Sequence, residues 1–109
     1  KFMEEAHRNI PRVQIYQAFC MRMGDFSASL CEDSFDAVWI QWVIIYCSDD
    51  ELINFLRESA KCLKPNGHIF LKDNILEQKD AEPIFDEMDR SVTRSREHLL
   101  KIFESSGLV

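Results

Sequence analysis

Residues 35–72 read FDAVWIQWVIIYCSDDELINFLRESAKCLKPNGHIFLK, and this stretch decides the fold. Phe35–Ile40 is largely apolar, with the length and the β-branched and aromatic content of a strand buried on both faces. Ser48-Asp49-Asp50-Glu51 fits a capping box, in which the Ser48 hydroxyl takes the third amide of a helix and Glu51 returns the bond. A helix therefore runs from there to about Cys62. Leu52, Phe55, Leu56 and Leu63 form its apolar stripe, and its acidic first turn suits the positive end of the helix dipole. Lys64-Pro65-Asn66-Gly67 is a turn, and His68–Lys72 is the next strand. Strands separated by a capped helix make a βαβ unit and imply a parallel sheet.

Working outward, Lys1–Asn9 has helical composition without a preceding cap, and Pro11 follows its end as a helix stop. Val13–Met21 reads as a strand, and a loop begins at Gly24-Asp25-Phe26. On the other side, Asp73–Glu87 is polar and mixed, which predicts a loop with a short helical turn after Pro83. A second helix begins near Ser95, with Leu99, Ile102 and Phe103 on one face, and Ser106-Gly107 closes it. The three glycines, Gly24, Gly67 and Gly107, each end an element, so no glycine-rich phosphate or adenosyl loop is present. The chain opens mid-helix and stops at Leu108-Val109, where a further strand should start. Residues 1–109 therefore read as part of a domain, with a first βαβ unit expected upstream and a strand downstream.

The bulk properties narrow the function. With 109 residues, 46% hydrophobic and 29% charged, the chain is at most one globular domain. A net charge of -6 with no basic run argues against a nucleic-acid surface. No apolar run is long enough to span a membrane. Cys20, Cys31, Cys47 and Cys62 show no Cys-x-x-Cys spacing, and His7, His68 and His98 lie far apart, so no metal is expected. The cysteines read mostly as small buried hydrophobes of a reducing, intracellular compartment.

Three clusters carry chemistry: Trp39-Ile40-Gln41-Trp42-Val43-Ile44, Lys72-Asp73-Asn74, and the run from Asp86 to Arg94. All three fall where a parallel sheet places ligands, at strand carboxyl ends and the loops that follow. Asn74 offers both a donor and an acceptor. Asp86 and Asp89, three apart, would share a face if they sat on a helical turn, where paired carboxylates hold a cationic amine or one serves as a base. Blander readings stand beside these. Trp39 and Trp42 read equally as core or interface aromatics, Asn74 as a turn residue, the Asp pair as a solvated loop, and Ser91-Val92-Thr93 as a cap for the last helix.

Phe35–Ile44, Leu63-Lys64-Pro65-Asn66-Gly67, Lys72-Asp73-Asn74 and Asp89-Arg90-Ser91-Val92-Thr93-Arg94 together resemble the protein α-N-terminal methyltransferase family, in order and with compatible spacing over nearly the whole chain. The resemblance implies a fragment of the doubly wound, Rossmann-like class I methyltransferase fold, α/β with a mostly parallel sheet. It also implies methyl transfer from S-adenosylmethionine to the free α-amino group of protein substrates that begin X-Pro-Lys or X-Pro-Arg. A cytoplasmic and nuclear location is the corresponding expectation.

Residue by residue, the resemblance implies that Gln41 contacts the amino-acid end of S-adenosylmethionine and that Met23 and Gly24 flank its adenine. Trp42 should line the pocket through which the peptide enters, Asn74 should bind the substrate α-amino nitrogen, and Asp89 matches the proposed general base. Asp86 and Ser91 match the groups that hold the basic third residue of the substrate. One departure matters. Where the family commonly has a histidine that assists deprotonation, this chain has Tyr46, and a tyrosine, with an ordinary pKa of about 10, is a poor base at neutral pH. Two other readings therefore stay open: a non-catalytic relative that keeps the fold as an interaction module, and a class I methyltransferase acting on a small molecule.

Overall fold

The structure, a computed structural model, describes Arg8, residues 26–28 and residues 32–108. The helix expected over Lys1–Asn9, the strand over Val13–Met21, and the proposed adenine contacts Met23 and Gly24 lie outside the described residues. No helix among the described residues is long and apolar enough to cross a membrane.

The decisive stretch folds as its sequence dictates. β1 (Phe35–Gln41) leads through a 3-10 turn (Ile44–Tyr46) into α1 (Asp49–Lys61) and then β2 (Leu63–Lys72), and β1 and β2 pair in parallel. The capping box at Ser48 is present in full. The Ser48 hydroxyl accepts from the Glu51 amide at 3.2 Å, and Glu51 accepts from the Ser48 amide at 2.8 Å, which satisfies two amides that the helix itself cannot. Leu52, Leu56 and Ser59 form the buried face of α1, the spacing that an amphipathic helix requires. Phe55 packs against the core from beside them, with its ring 5.3 Å from that of Phe26.

The turn at Lys64–Gly67 appears as an excursion within β2. Phe35 pairs with Leu63, but Ala37 already pairs with His68, so the extra residues of β2 loop out between two points of register. Asn66 takes φ 68°, a left-handed conformation that asparagine tolerates. At Gly67 an added Cβ would come within 2.9 Å of the Leu63 Cβ and 3.0 Å of the Lys64 carbonyl oxygen. Only glycine allows so close an approach.

After β2 come β3 (Ile75–Leu76), β4 (Ile84–Asp86), β5 (Ser91–Ser95) and α2 (Arg96–Ser105). β5 pairs in parallel with β3 and antiparallel with β4. This corrects the expectation of a helical turn after Pro83, because Ile84–Asp86 finds its partner in a strand that follows it in the chain. Ser91-Val92-Thr93 belongs to β5 and does not cap the last helix. That role falls to Ser95, whose hydroxyl accepts from the His98 amide at 3.1 Å. α2 ends as expected at Ser106-Gly107. The Gly107 amide donates to Glu104 and the Leu108 amide to Phe103, with Gly107 at φ 81°, which is a Schellman motif.

Ile40, Ile44, Cys47, Leu52, Leu56, Leu99 and Ile102 form the core, flanked by Val38, Ile69 and Leu71. Both helices therefore bury one face of the β1–β2 pair. The opposite face, with Phe35, Trp39 and Phe70, is exposed within residues 1–109. Trp39 stacks on Phe70 across the strands, centroids 5.8 Å apart.

Candidate active site

β1 ends at Gln41, and the backbone turns sharply at the next residue. Trp42 adopts φ 54°, a left-handed conformation that is unfavourable for a bulky L-residue. Its amide donates to the Lys72 carbonyl at 3.0 Å, which carries the parallel pairing one residue past β1. The indole is 60% exposed, and the Lys72 ammonium lies 5.9 Å from its centroid. Gln41 is also exposed, and its side-chain oxygen accepts from the Trp39 indole N–H at 2.9 Å. That bond orients the carboxamide and leaves its amide hydrogens able to donate to a carboxylate. Trp39, to which the sequence assigned no particular task, thus holds Gln41 in place.

The second cluster follows β2. Asp73 accepts from the Ile44 amide at 3.2 Å with one oxygen and from the Asn74 amide at 2.8 Å with the other. It joins the loop after β1 to the loop after β2 and sets the backbone at Asn74, whose side chain remains exposed. The structure therefore brings Gln41, Trp42 and Asn74 together at one end of the parallel pair. Tyr46 closes the 3-10 turn that follows Trp42 and is 60% exposed.

The third cluster is a hairpin. Asp86 and Ser91 stand directly opposite in the β4–β5 register, and residues 87–90 form the loop, with Arg90 at φ 61°. Asp86 and Asp89 consequently do not share a helical face. Asp86 accepts from the Met88 amide and Asp89 from the Ser91 amide, both at 2.9 Å. These hydrogen bonds from Ser91 hold the Asp89 carboxyl below the usual carboxylate range. Asp89 is thus anionic at neutral pH, suited to attracting an ammonium group and to receiving a proton only weakly. Ser91 itself is buried. Asp86, Asp89 and Ser91 sit together. They connect to the first two clusters through β5, which pairs with the β3 strand that begins just after Asn74.

An open depression of about 440 Å³ lies between the end of β2 and α2, lined by Leu71, Lys72, Asp73, Leu99 and Phe103 among others. It includes none of Gln41, Trp42, Asn74, Asp86, Asp89 or Ser91, so the candidate site is an open surface at the strand ends and not this cavity.

Sequence reasoning passed over Arg94. The residue is 3% exposed, and its guanidinium donates to the Asp49 carboxylate at 2.7 Å, the Ile44 carbonyl at 3.1 Å and the Cys47 carbonyl at 2.6 Å. His98 Nε2 meets the other Asp49 oxygen at 2.7 Å. Partial burial pushes the Asp49 carboxyl up, but the bonds from His98 and Arg94 outweigh it, and its pKa falls below the ordinary value. Burial drives the Cys47 thiol the other way, up to about 11. The only signal in the sequence was a basic residue just before the last helix, which alone does not name its partners.

Aromatic and polar side chains gathered beyond the carboxyl ends of parallel strands, with helices across one face, define a ligand-binding α/β domain of the Rossmann-like kind. A model of the family described as AdoMet dependent proline di-methyltransferase matches residues 1–109, and the chain belongs to that family. N-terminal Xaa-Pro-Lys N-methyltransferase 1 of Rattus norvegicus is 41% identical over 97 residues, which is 89% of this chain and 40% of that protein. Alpha N-terminal protein methyltransferase 1 of Caenorhabditis elegans is 43% identical over 77 residues, 71% of this chain and 32% of that one. A solved structure from Leishmania major, described as a SAM-dependent methyltransferase, superimposes with a TM-score of 0.79 at 30% identity, covering 96% of this chain and 40% of that one. The α/β fold is accordingly a partial Rossmann-like methyltransferase fold, and the chain spans about 40% of the length of its mammalian relative.

Proposed function

We propose that this chain forms part of the catalytic domain of an S-adenosylmethionine-dependent methyltransferase acting on the free α-amino group of proteins that begin X-Pro-Lys or X-Pro-Arg. The observation that carries the proposal is the grouping of Gln41, exposed Trp42 and Asn74 at the carboxyl ends of β1 and β2, tied by the Trp42–Lys72 and Asp73–Ile44 bonds. The names of the rat and nematode relatives support the same reading.

Bound S-adenosylmethionine would supply an electrophilic methyl carbon on its sulfonium. The Gln41 amide hydrogens suit the carboxylate at the cofactor's amino-acid end, and Met23 and Gly24 are the proposed neighbours of its adenine. Trp42 gives the peptide an apolar wall, and Asn74 can hydrogen-bond the α-nitrogen. That nitrogen, with an ordinary pKa of about 7.7–8.0, is mostly protonated at neutral pH and must lose its proton before it can attack. Asp89 supplies the nearby negative charge, and Asp86 with Ser91 supplies a carboxylate and a hydroxyl for the cationic third residue. The remaining task is alignment of nitrogen, carbon and sulfur.

Tyr46 favours a second reading, a relative with a degenerate site, because it stands where the resemblance implies a histidine, and the hydrogen bonds from Ser91 hold the Asp89 carboxyl below its ordinary range. Both readings go with a proposed location in cytoplasm and nucleus. The deciding experiment offers labelled S-adenosylmethionine and a Ser-Pro-Lys-Arg peptide to the protein with its native flanking sequence. Incorporation is expected, and it should vanish when the peptide's α-amine is acetylated. It should fall about 10²-fold or more with Asp89→Asn. Cofactor binding without transfer would establish the degenerate reading.

A further inference from the structure

We infer that Arg94 is a positioning residue, which through the turn at residues 44–47 holds Trp42 and Tyr46 in the geometry that methyl transfer requires. The inference rests on the function proposed above. Arg94 sits on β5, three residues after Ser91, yet its three donors all reach the other side of the site. Two go to the Ile44 and Cys47 carbonyls at the two ends of the turn, and one to Asp49 at the first position of α1. Asp73, just past the end of β2, grips the same turn through the Ile44 amide. The turn after Trp42 is thus held at Ile44 by Asp73 and Arg94 and at Cys47 by Arg94.

The chemistry of the group matters. A planar guanidinium offers donors in a rigid fork, so one side chain can satisfy acceptors on both ends of a turn, whereas a lysine ammonium is a single point that cannot reach all three. Stability alone is a weak reason for such a group, because a buried ion pair replaced by a well-packed apolar residue is often neutral in stability. Position is the better explanation. Trp42 occupies a strained left-handed backbone that persists only while its surroundings over-determine it, and the Arg94 bonds supply that restraint next to it.

The test compares wild-type protein, in its native flanking sequence, with Arg94→Lys and Arg94→Met. Hydrogen exchange at the amides of residues 43–47 should accelerate about ten-fold or more in both variants while the amides in the middle of α1 and α2 stay protected. The kcat for the Ser-Pro-Lys-Arg peptide should fall roughly ten-fold or more, with a smaller change in KM, because displacements of about 1 Å can cost up to about 10²-fold in rate. Lysine should not rescue either readout. Unchanged exchange at 43–47 overturns the inference, and so does faster exchange with an unchanged kcat, which would mark Arg94 as structural only. If wild-type protein transfers no methyl group, the functional reading falls instead, and the exchange comparison by itself decides whether Arg94 holds the turn.

Discussion

The two halves of the candidate site are held in different ways. The half that ends β1 and β2 is fixed by bonds between residues far apart in sequence: Asp73 to Ile44 across 29 positions, and Arg94 to Asp49, Cys47 and Ile44 across 45 to 50. At the tip of the β4–β5 hairpin the side-chain bonds span only two residues, Asp86 to Met88 and Asp89 to Ser91. The first half rests on the hydrophobic core at Ile40 and Ile44. The hairpin projects Ile84, Phe85 and Met88 into solvent, Met88 being 97% exposed. Long-range bonds over a packed core give one geometry, which suits an invariant ligand. Local bonds on an exposed hairpin allow adjustment, which under the proposed function would suit peptides that differ in sequence.

That contrast can be broken from beneath. Leu56, fully buried where α1 meets the sheet, should destabilise the domain by about 2–5 kcal/mol when changed to alanine, and urea unfolding would measure it. A smaller effect should come from alkali. The Cys47 thiol is raised from 9.0 to about 11, so as pH climbs between those values the unfolded chain releases a proton that the folded chain retains. Stability from this group is complete below pH 9 and is lost through that window, on the order of 2 kcal/mol. The drop in unfolding midpoint between pH 8 and pH 10.5 should shrink in Cys47→Ala, and an equal drop in both proteins would refute the assignment. Smallest of all, Met88→Ala should shift stability by less than about 0.5 kcal/mol. A larger loss in thermal melts would mean that the hairpin tip is packed and that the contrast between the halves is overstated.

What could be read from the sequence was what is decided locally. The Ser48–Glu51 capping box, the turn at Asn66-Gly67 and the Gly107 stop each depend on residues within a few positions of one another, and each appears in the fold. β1 was legible as a strand. β4 was missed because three residues after a proline carry little strand signal, and its identity comes from pairing with β5. The quoted motifs placed Gln41, Trp42 and Asn74 correctly at strand ends. They misjudged the backbone under Asp86 and Asp89, for which spacing suggested a helix and cross-strand register made a hairpin. Arg94 was invisible as a restraint since all three of its partners lie at least 45 positions upstream.

Under the proposed function, Trp42 sets stability and activity against each other at one position. Glycine would relieve the left-handed backbone there at no steric cost, whereas a bulky L-residue in that well costs about 1–2 kcal/mol. A selection for thermal resistance alone would therefore drift toward glycine at residue 42, and each step gained would remove the exposed ring from the site. Stabilised versions of this domain are best sought with that position held constant, and the persistence of tryptophan there under selection for activity would report that the ring itself is what is being kept.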